Sequence, residues 1–524
     1  MRQKKLLRLL SAMLVIIFVI ASLLTGCGKA SNDTSEDMTA TDSNTSNNSE
    51  SKSNETAKDD KPTLEPYTVN YVVIKAIADM SDQPVVEEHL NDYLAEHAAD
   101  ILPNTKIKFT LVEGSEAGNQ VSLMAAAGEP FDLFMNPWGL PLAQAVAKGI
   151  AIPLDDLLNK HGQTIMKRIE PKYWQAATFK GKKYAIPHPF VYAQTAGIVL
   201  KKDLVEKYNF DYKSVKDIKD LEPFLAAVKK GEPGMVPLFP LKWNFLWNLS
   251  KHDMDGWYDV ETGKVIWPYD NEGVIERAKT LSEYYKKGYI AKDWISKIDA
   301  RDAECKTGKY AVMPDAGIYD ETGEKSTNAY GFPTVEVPMY TPLIGTDRVL
   351  SCFTCISATS KDPERAMMLQ DYMYADKTFF NMSCYGKEGL NYEVVEGAGT
   401  DNPTVRTLEN SKWTIWACWT GPLWDQWPSN WNSAAALERM KKQTDSAAVS
   451  PILGFVQDNE PIKKEMAQIQ PIMLEMDKIL TSGSAPDVEK YLAEQKERAR
   501  KAGLDKVIEE LTRQIEEWKA ANGK

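Results

Sequence analysis

The chain has 524 residues, 43% of them hydrophobic, and a net charge of −12. That length suits two to three domains, and the apolar content excludes a chain disordered throughout. An acidic balance without a basic cluster repels phosphate backbones, so no nucleic-acid partner is expected.

The N-terminus carries Arg2, Lys4, Lys5 and Arg8, then runs uncharged from Leu9 to Leu24. A basic start and a short apolar run form the pattern of a secretory signal over 1–26. The run is short for a membrane span, an uncleaved anchor being the alternative. It ends in Leu24-Thr25-Gly26-Cys27, which resembles the lipobox of bacterial lipoproteins. That resemblance implies acylation of Cys27; at ~0.8 kcal/mol per buried CH₂, two acyl chains anchor stably where one does not. From 27 to 65 the chain is mostly Ser, Asn, Thr, Asp and Glu, with little to bury, which predicts a disordered tether. Setting Cys27 aside leaves five cysteines, Cys305, Cys352, Cys355, Cys384 and Cys418. The number is odd, and buried free thiols are expected.

The body opens with a strand pattern over Val69–Lys75. A helix comes next over Pro84–Asp100, with Val85, Val86, Leu90, Tyr93 and Leu94 on one side. Lys106–Val112 alternates as a strand, Val121–Ala127 reads as helix, and Phe131–Met135 as a third strand. This alternation predicts a parallel α/β sheet, whose ligands bind at the carboxyl ends of strands. The loops after Ile74 and Met135 then offer Asp79, Asp82, Asn136 and Trp138. Asp82 could instead cap the following helix, and Asn136 could make a turn before Pro137. Trp138, between Pro137 and Gly139, is hard to bury from such a loop.

Catalytic signatures are mostly missing. There is no P-loop, no H-E-x-x-H and no Gly-x-Ser-x-Gly. His89, His97, His161, His188 and His252 lack ligand spacing. Cys352-x-x-Cys355 has no second pair and lies in an apolar run, unlike zinc or redox motifs. Asp253, Asp255 and Asp259 do not complete an EF-hand, and Val260–Ile266 reads as a hairpin. No enzyme chemistry, cofactor or metal is expected.

Aromatic residues are placed unusually. Trp243 and Trp247 lie just after a Pro-rich segment, and Trp413, Trp416, Trp419, Trp424, Trp427 and Trp431 fall within 19 residues. Gly421, Pro422 and Pro428 break any continuous helix there. About half of these indoles are expected in the core, where large aromatics dominate burial. Trp243, Trp247 and Trp424 stand as ligand candidates, because sugar rings pack C–H faces on indole while Asp and Asn take their hydroxyls. A cationic or peptide ligand would also suit aromatics beside acids.

Several segments carry a family resemblance. GKKYAIP (Gly181–Pro187), GIVLKKDL (Gly197–Leu204), GKYAVM (Gly308–Met313) and ISATSKDPERA (Ile356–Ala366) stand in the order seen in extracellular solute-binding proteins of ABC importers. YGKEGLNY (Tyr385–Tyr392) and Gly454-Phe455-Val456 with EPIKKE (Glu460–Glu465) resemble the LipO-like lipoprotein subgroup of family 1. Lys490–Ala520 is similar to that subgroup's closing helix. The resemblance implies an α/β, periplasmic-binding-protein-like fold with two lobes, a hinge and an interlobe cleft. The first crossing would fall at Val191–Val199, where Gly197 suits a hinge or tight packing, and the return at Val349–Ile356. One lobe would hold 66–192 and 355–400, the second 198–348 and 401–524. His188, Tyr192 and Asp315 become implied cleft contacts, Asp315 alternatively a helix cap. The implied function is a monomeric substrate-binding lipoprotein, held by Cys27 on the extracytoplasmic face of the cell membrane. It would capture a sugar, expected to be an oligosaccharide, by cleft closure and pass it to permease subunits. A peptide or other solute on the same fold, or a secreted glycan-active enzyme, are the alternatives.

Overall fold

The computed structural model describes residues 64–77, 79–241, 246, 251–315 and 319–524. The expected signal, Cys27, the tether, Trp243 and Trp247 lie outside the described residues. Within them, the local patterns become β1 (Tyr67–Ile74), α1 (Gln83–His97), β2 (Thr105–Val112), α2 (Ala117–Ala127) and β3 (Leu133–Met135). Helix α1 buries Val86, Leu90 and Leu94, the i, i+4, i+8 row of one face. Two short strands flank the expected first crossing, β4 (Ile186–Pro187) and β5 (Ala196–Lys201). After them come β6 (Val236–Leu238), β7 (Tyr310–Pro314), β8 (Thr334–Tyr340), α3 (Thr346–Val349) and β9 (Phe353–Ile356).

These strands form two sheets. The first has the order β2-β1-β3-β9-β4. β1 runs parallel to β2, with Tyr71 opposite Phe109, and parallel to β3. β9 enters from the far side and pairs antiparallel to both β3 and β4, with Thr354 opposite Met135 and Ile186. The second sheet, β8-β5-β7-β6, is mixed too: β5 is antiparallel to β7 and β8, and only β7 and β6 run parallel. The parallel pairing expected of the first three strands is present, and β9 and β4 add antiparallel neighbours that make the sheet mixed. A strand that returns from the other lobe arrives with reversed direction, which no local pattern records. Val260–Ile266 does sit in a hairpin, Tyr258–Asp259 against Lys264–Val265.

The cores show where the lobes divide. One apolar core joins the β1, β2, β3 and β9 residues to side chains between Val405 and Leu453. A second joins residues from Ile198 to Val337 with Ile462 to Leu511. Residues 401–447, expected in the second lobe, therefore bury Trp413, Trp419, Trp427, Leu437 and Met440 in the first. That stretch carries two helices, α4 (Ala417–Thr420) and α5 (Ala434–Ser446). Only after them does the chain cross again. Ile344 and Val449 form a parallel bridge, and Gly454 N donates to Thr346 Oγ1 at 2.9 Å. The chain ends in three helices, α6 (Lys463–Thr481), α7 (Val488–Lys501) and α8 (Leu504–Ala521). The single closing helix expected over 490–520 is interrupted at Gly503, whose φ of +101° favours glycine. No helix among the described residues is long and apolar enough to cross a membrane. Cys305, Cys352, Cys355, Cys384 and Cys418 are all free and buried.

Gly197 lies in extended β5. A Cβ there would come within 3.1 Å of the Tyr319 ring and 3.2 Å of the Val337 carbonyl. Close packing, not backbone freedom, is what requires glycine.

Candidate functional site

The carboxyl edge of the first sheet presents an aromatic surface. Trp138 succeeds β3 through Asn136-Pro137 and is 48% exposed. Its position is fixed from behind: a Cβ at Gly114 would stand 2.7 Å from its ring, and its carbonyl accepts from Gly118 N at 2.8 Å. It meets Trp419 edge-on, with centroids 6.0 Å apart at 86°. Trp419 in turn packs against Trp416, at 4.7 Å. Trp419 is buried, whereas Trp416 is 53% exposed. The short helix α4 places positions 416 and 419 about one turn apart, so both indoles share a face. From the sequence this tryptophan run stands out, but Trp424 is the candidate within it. Trp424 is only half-buried, on a turn where Arg168 Nη2 holds Asp425 Oδ1 at 2.6 Å.

Of the other indoles, Trp413 and Trp427 are core, with Nε1 donating to the Ser383 and Asp401 carbonyls at 3.0 and 3.1 Å. Trp431 is largely exposed. The expectation that about half are structural agrees with Trp413, Trp419 and Trp427 being buried.

Asn136 links this surface to the crossing. Its Nδ2 donates to the Leu350 and Ser351 carbonyls at 3.3 and 3.0 Å, just beyond α3. On that helix stand Asp347 and Arg348, facing Asp253 and Asp255 of the 252–259 segment. Asp253, Asp255 and Asp347 line two adjoining cavities of about 190 and 50 Å³, with Thr346, Gln457 and Asn459 on the larger and Arg348 on the smaller. Asp255 and Asp347 are exposed at the surface, yet the protein packed around them partly desolvates their carboxyls and raises them above the usual range. For Asp347 the charges of Asp253 and Asp255 add to this; for Asp255 that of Asp253 does, and Arg348 opposes the shift at both. Among the described residues no group of three or more His, Cys, Asp or Glu side chains is arranged to hold a metal ion. The cluster instead offers carboxylates and a guanidinium, acceptors and donors suited to hydroxyl groups. In the sequence Asp253 and Asp255 read only as part of an incomplete EF-hand, and no motif singles out Asp347 and Arg348. The one signal available was a charged pair beside an expected crossing.

Other predicted contacts fall elsewhere. Asp79 is exposed; it accepts from Ser81 N at 3.0 Å and pairs with Lys412 Nζ at 3.2 Å, and these partners lower its pKa. Asp82 does not cap α1 with its side chain; Oδ2 accepts from Asn391 Nδ2 at 2.7 Å and Lys412 N at 3.0 Å. His188 and Tyr192 are buried in the first lobe and do not line the cleft. His188 Nδ1 bonds Tyr374 OH at 2.7 Å and Nε2 bonds Thr354 Oγ1 at 2.8 Å, and desolvation pulls its pKa down to about 3. Tyr192 OH donates to the His188 carbonyl at 2.7 Å, its ring against Tyr173. Asp315 is also buried: Oδ2 accepts from Gly197 N at 2.9 Å, bracing β5 against β7. It caps no helix in that bond.

Known proteins share this chain's pattern over most of its length. Residues 95–384, more than half of the chain, match the family model described as bacterial extracellular solute-binding protein. Residues 451–520 match a domain of unknown function, DUF3502. A carbohydrate ABC transporter substrate-binding protein of Streptococcus pneumoniae serotype 4 is 25% identical over 468 residues, covering 85% of this chain and 93% of that protein. The solved structure of an N-glycan transport solute binding protein, NgtS, from Streptococcus pneumoniae shares 22% identity and a TM-score of 0.70. It covers 86% of this chain and 99% of its own. An HMO-binding, ABC-transporter-associated solute binding protein from Bifidobacterium longum infantis gives 16% identity and 0.59, over 86% and 98%.

Proposed function

Because the chain belongs to the bacterial extracellular solute-binding proteins, which bind and do not catalyse, we propose that it is the sugar-capturing component of an ABC importer. Its ligand, in this reading, is an oligosaccharide. The observation that carries it is the exposed indole pair Trp138 and Trp416, backed by Trp419 and joined through Asn136 to the carboxylates and guanidinium at the crossing. Indole faces receive the C–H side of a pyranose, and the charged groups receive its hydroxyls. The similar proteins named for carbohydrate, N-glycan and HMO binding support the same class. A ligand bridging two lobes favours their closed arrangement by its differential affinity for it. The closed, loaded protein then docks on permease subunits, as a monomer.

A thermal-shift screen of the purified protein against glycans and peptides tests the ligand class. A glycan at a hundredfold its Kd adds about 2.7 kcal/mol of stability, a readily measured rise in Tm. A rise with peptides alone would transfer the reading to a peptide carrier.

Cys27, in the same proposal, is the lipid-bearing N-terminus. Cys27→Ala is expected to move the protein from the membrane fraction to the medium with glycan affinity unchanged. Retention at the membrane would remove the anchor from the account.

A further inference from the structure

Helix α5 touches both lobes with two different faces. Leu437, Met440 and Thr444, at i, i+3 and i+7, are its buried side, and the two apolar ones lie in the first lobe's core. Arg439 and Gln443, at i and i+4, occupy another face. Arg439 Nη2 lies 3.3 Å from Asp320 Oδ1, in the second lobe's loop after β7. Gln443 Nε2 donates to the Tyr319 carbonyl at 3.4 Å, while its Oε1 accepts from Thr195 N, in the first crossing, at 3.2 Å. Thr444 Oγ1 donates to the Ala193 carbonyl in that crossing, at 3.3 Å.

We infer that α5 is a strut that sets the angle between the lobes, with Arg439 and Gln443 as positioning residues for lobe movement. The root of the helix is apolar and its grip is polar. Apolar contacts resist separation because separation exposes them to water, whereas hydrogen bonds and ion pairs exchange for bonds to water at small net cost. The joint between helix and second lobe is therefore the side that can part. It is also placed where parting matters, one residue before β5 begins and beside the loop whose Tyr319 ring covers Gly197. Asp320 is a firm anchor for the grip: its Oδ1 accepts from Thr322 N and Oγ1, and its backbone N donates to Glu336 Oε2 at 2.8 Å.

The inference rests on the reading that the lobes move against one another, and its test needs no glycan. Spin labels are placed on the full chain at Leu123→Cys and Ile295→Cys, positions 69% and 63% exposed, in a Cys27→Ser background. The remaining cysteines are buried and stay unlabelled. Pulsed dipolar spectroscopy without ligand is expected to give one distance in the parent. Arg439→Met and Gln443→Leu each add a second distance population, and Arg439→Lys, which can still pair with Asp320, restores one. Distributions for Arg439→Met and Gln443→Leu that overlay the parent overturn the strut. Should Arg439→Met fail to fold, Gln443→Leu decides alone. A failed glycan screen alongside a second distance would sink the sugar reading and leave the strut standing.

Discussion

Replacing Trp138 and Trp416 together with alanine is expected to weaken glycan binding by about 3–4 kcal/mol, roughly 150- to 900-fold. Each indole is roughly half exposed, so each has a face free for a ligand while its other face holds position. Aromatic anchors of this kind carry much of the energy of a binding surface. The loss should appear in calorimetry with any glycan that raises Tm in the screen. Because only the packed halves are lost from the fold, the change in stability should stay near 1–2 kcal/mol. Trp419→Ala provides the contrast: that ring is 4% exposed and its removal should cost about 3–5 kcal/mol of stability. Undiminished affinity in the double variant would take the platform out of the site.

An effect on stability as large as that of Trp419→Ala is expected at His188. Its ring is fully buried and both nitrogens are engaged. His188→Ala leaves a cavity and takes a partner from the Tyr374 hydroxyl; Thr354 keeps Tyr71 OH at 2.5 Å. The resulting cost is about 3–5 kcal/mol, read from the urea midpoint. The pH dependence is more telling. His188 titrates near 3 when folded, below its ordinary 6.5, so the unfolded chain takes up the proton first. Stability from this group is present above pH 6.5 and lost as pH falls towards 3. Glu336 behaves oppositely. Burial raises its pKa to about 7 although Ser326 Oγ and Asp320 N both donate to it. Its contribution is present below the ordinary 4.5 and lost as pH rises through 7. Between 4.5 and 6.5 the two slopes oppose each other. Relative to the parent, Glu336→Gln should steepen the fall in stability on acidification through that window by about 1.4 kcal/mol per pH unit. An unchanged slope in that variant would contradict the assignment.

Much of the first lobe is legible in sequence because its signals are local. The alternation in Lys106–Val112 and the i, i+4 row in α1 need only neighbours to be read. Trp138 is legible for the same reason, since Pro137 and Gly139 deny it a regular element. His188 is not. Nearness to the crossing suggests a cleft contact, but its partners Thr354 and Tyr374 lie 166 and 186 residues away. The polar cluster fails similarly: Asp347 and Arg348 acquire meaning only against Asp253 and Asp255, nearly a hundred residues earlier. The lobe boundary near 400, taken from the two-lobe family layout, goes astray because no local pattern records that Trp413 and Trp427 enter the first core, their N–H groups held by the Ser383 and Asp401 carbonyls.

The third crossing bears on how the protein is made. The first core needs side chains from Val69 through Leu453, and the second from Ile198 through Leu511. Neither lobe can close around its own apolar residues until the last part of the chain has emerged from the ribosome. Domains whose contacts are this distant in sequence fold late and slowly. A nascent chain that stays open to its end is one that can still be threaded through a narrow export channel, and the folded receptor then forms on the far side.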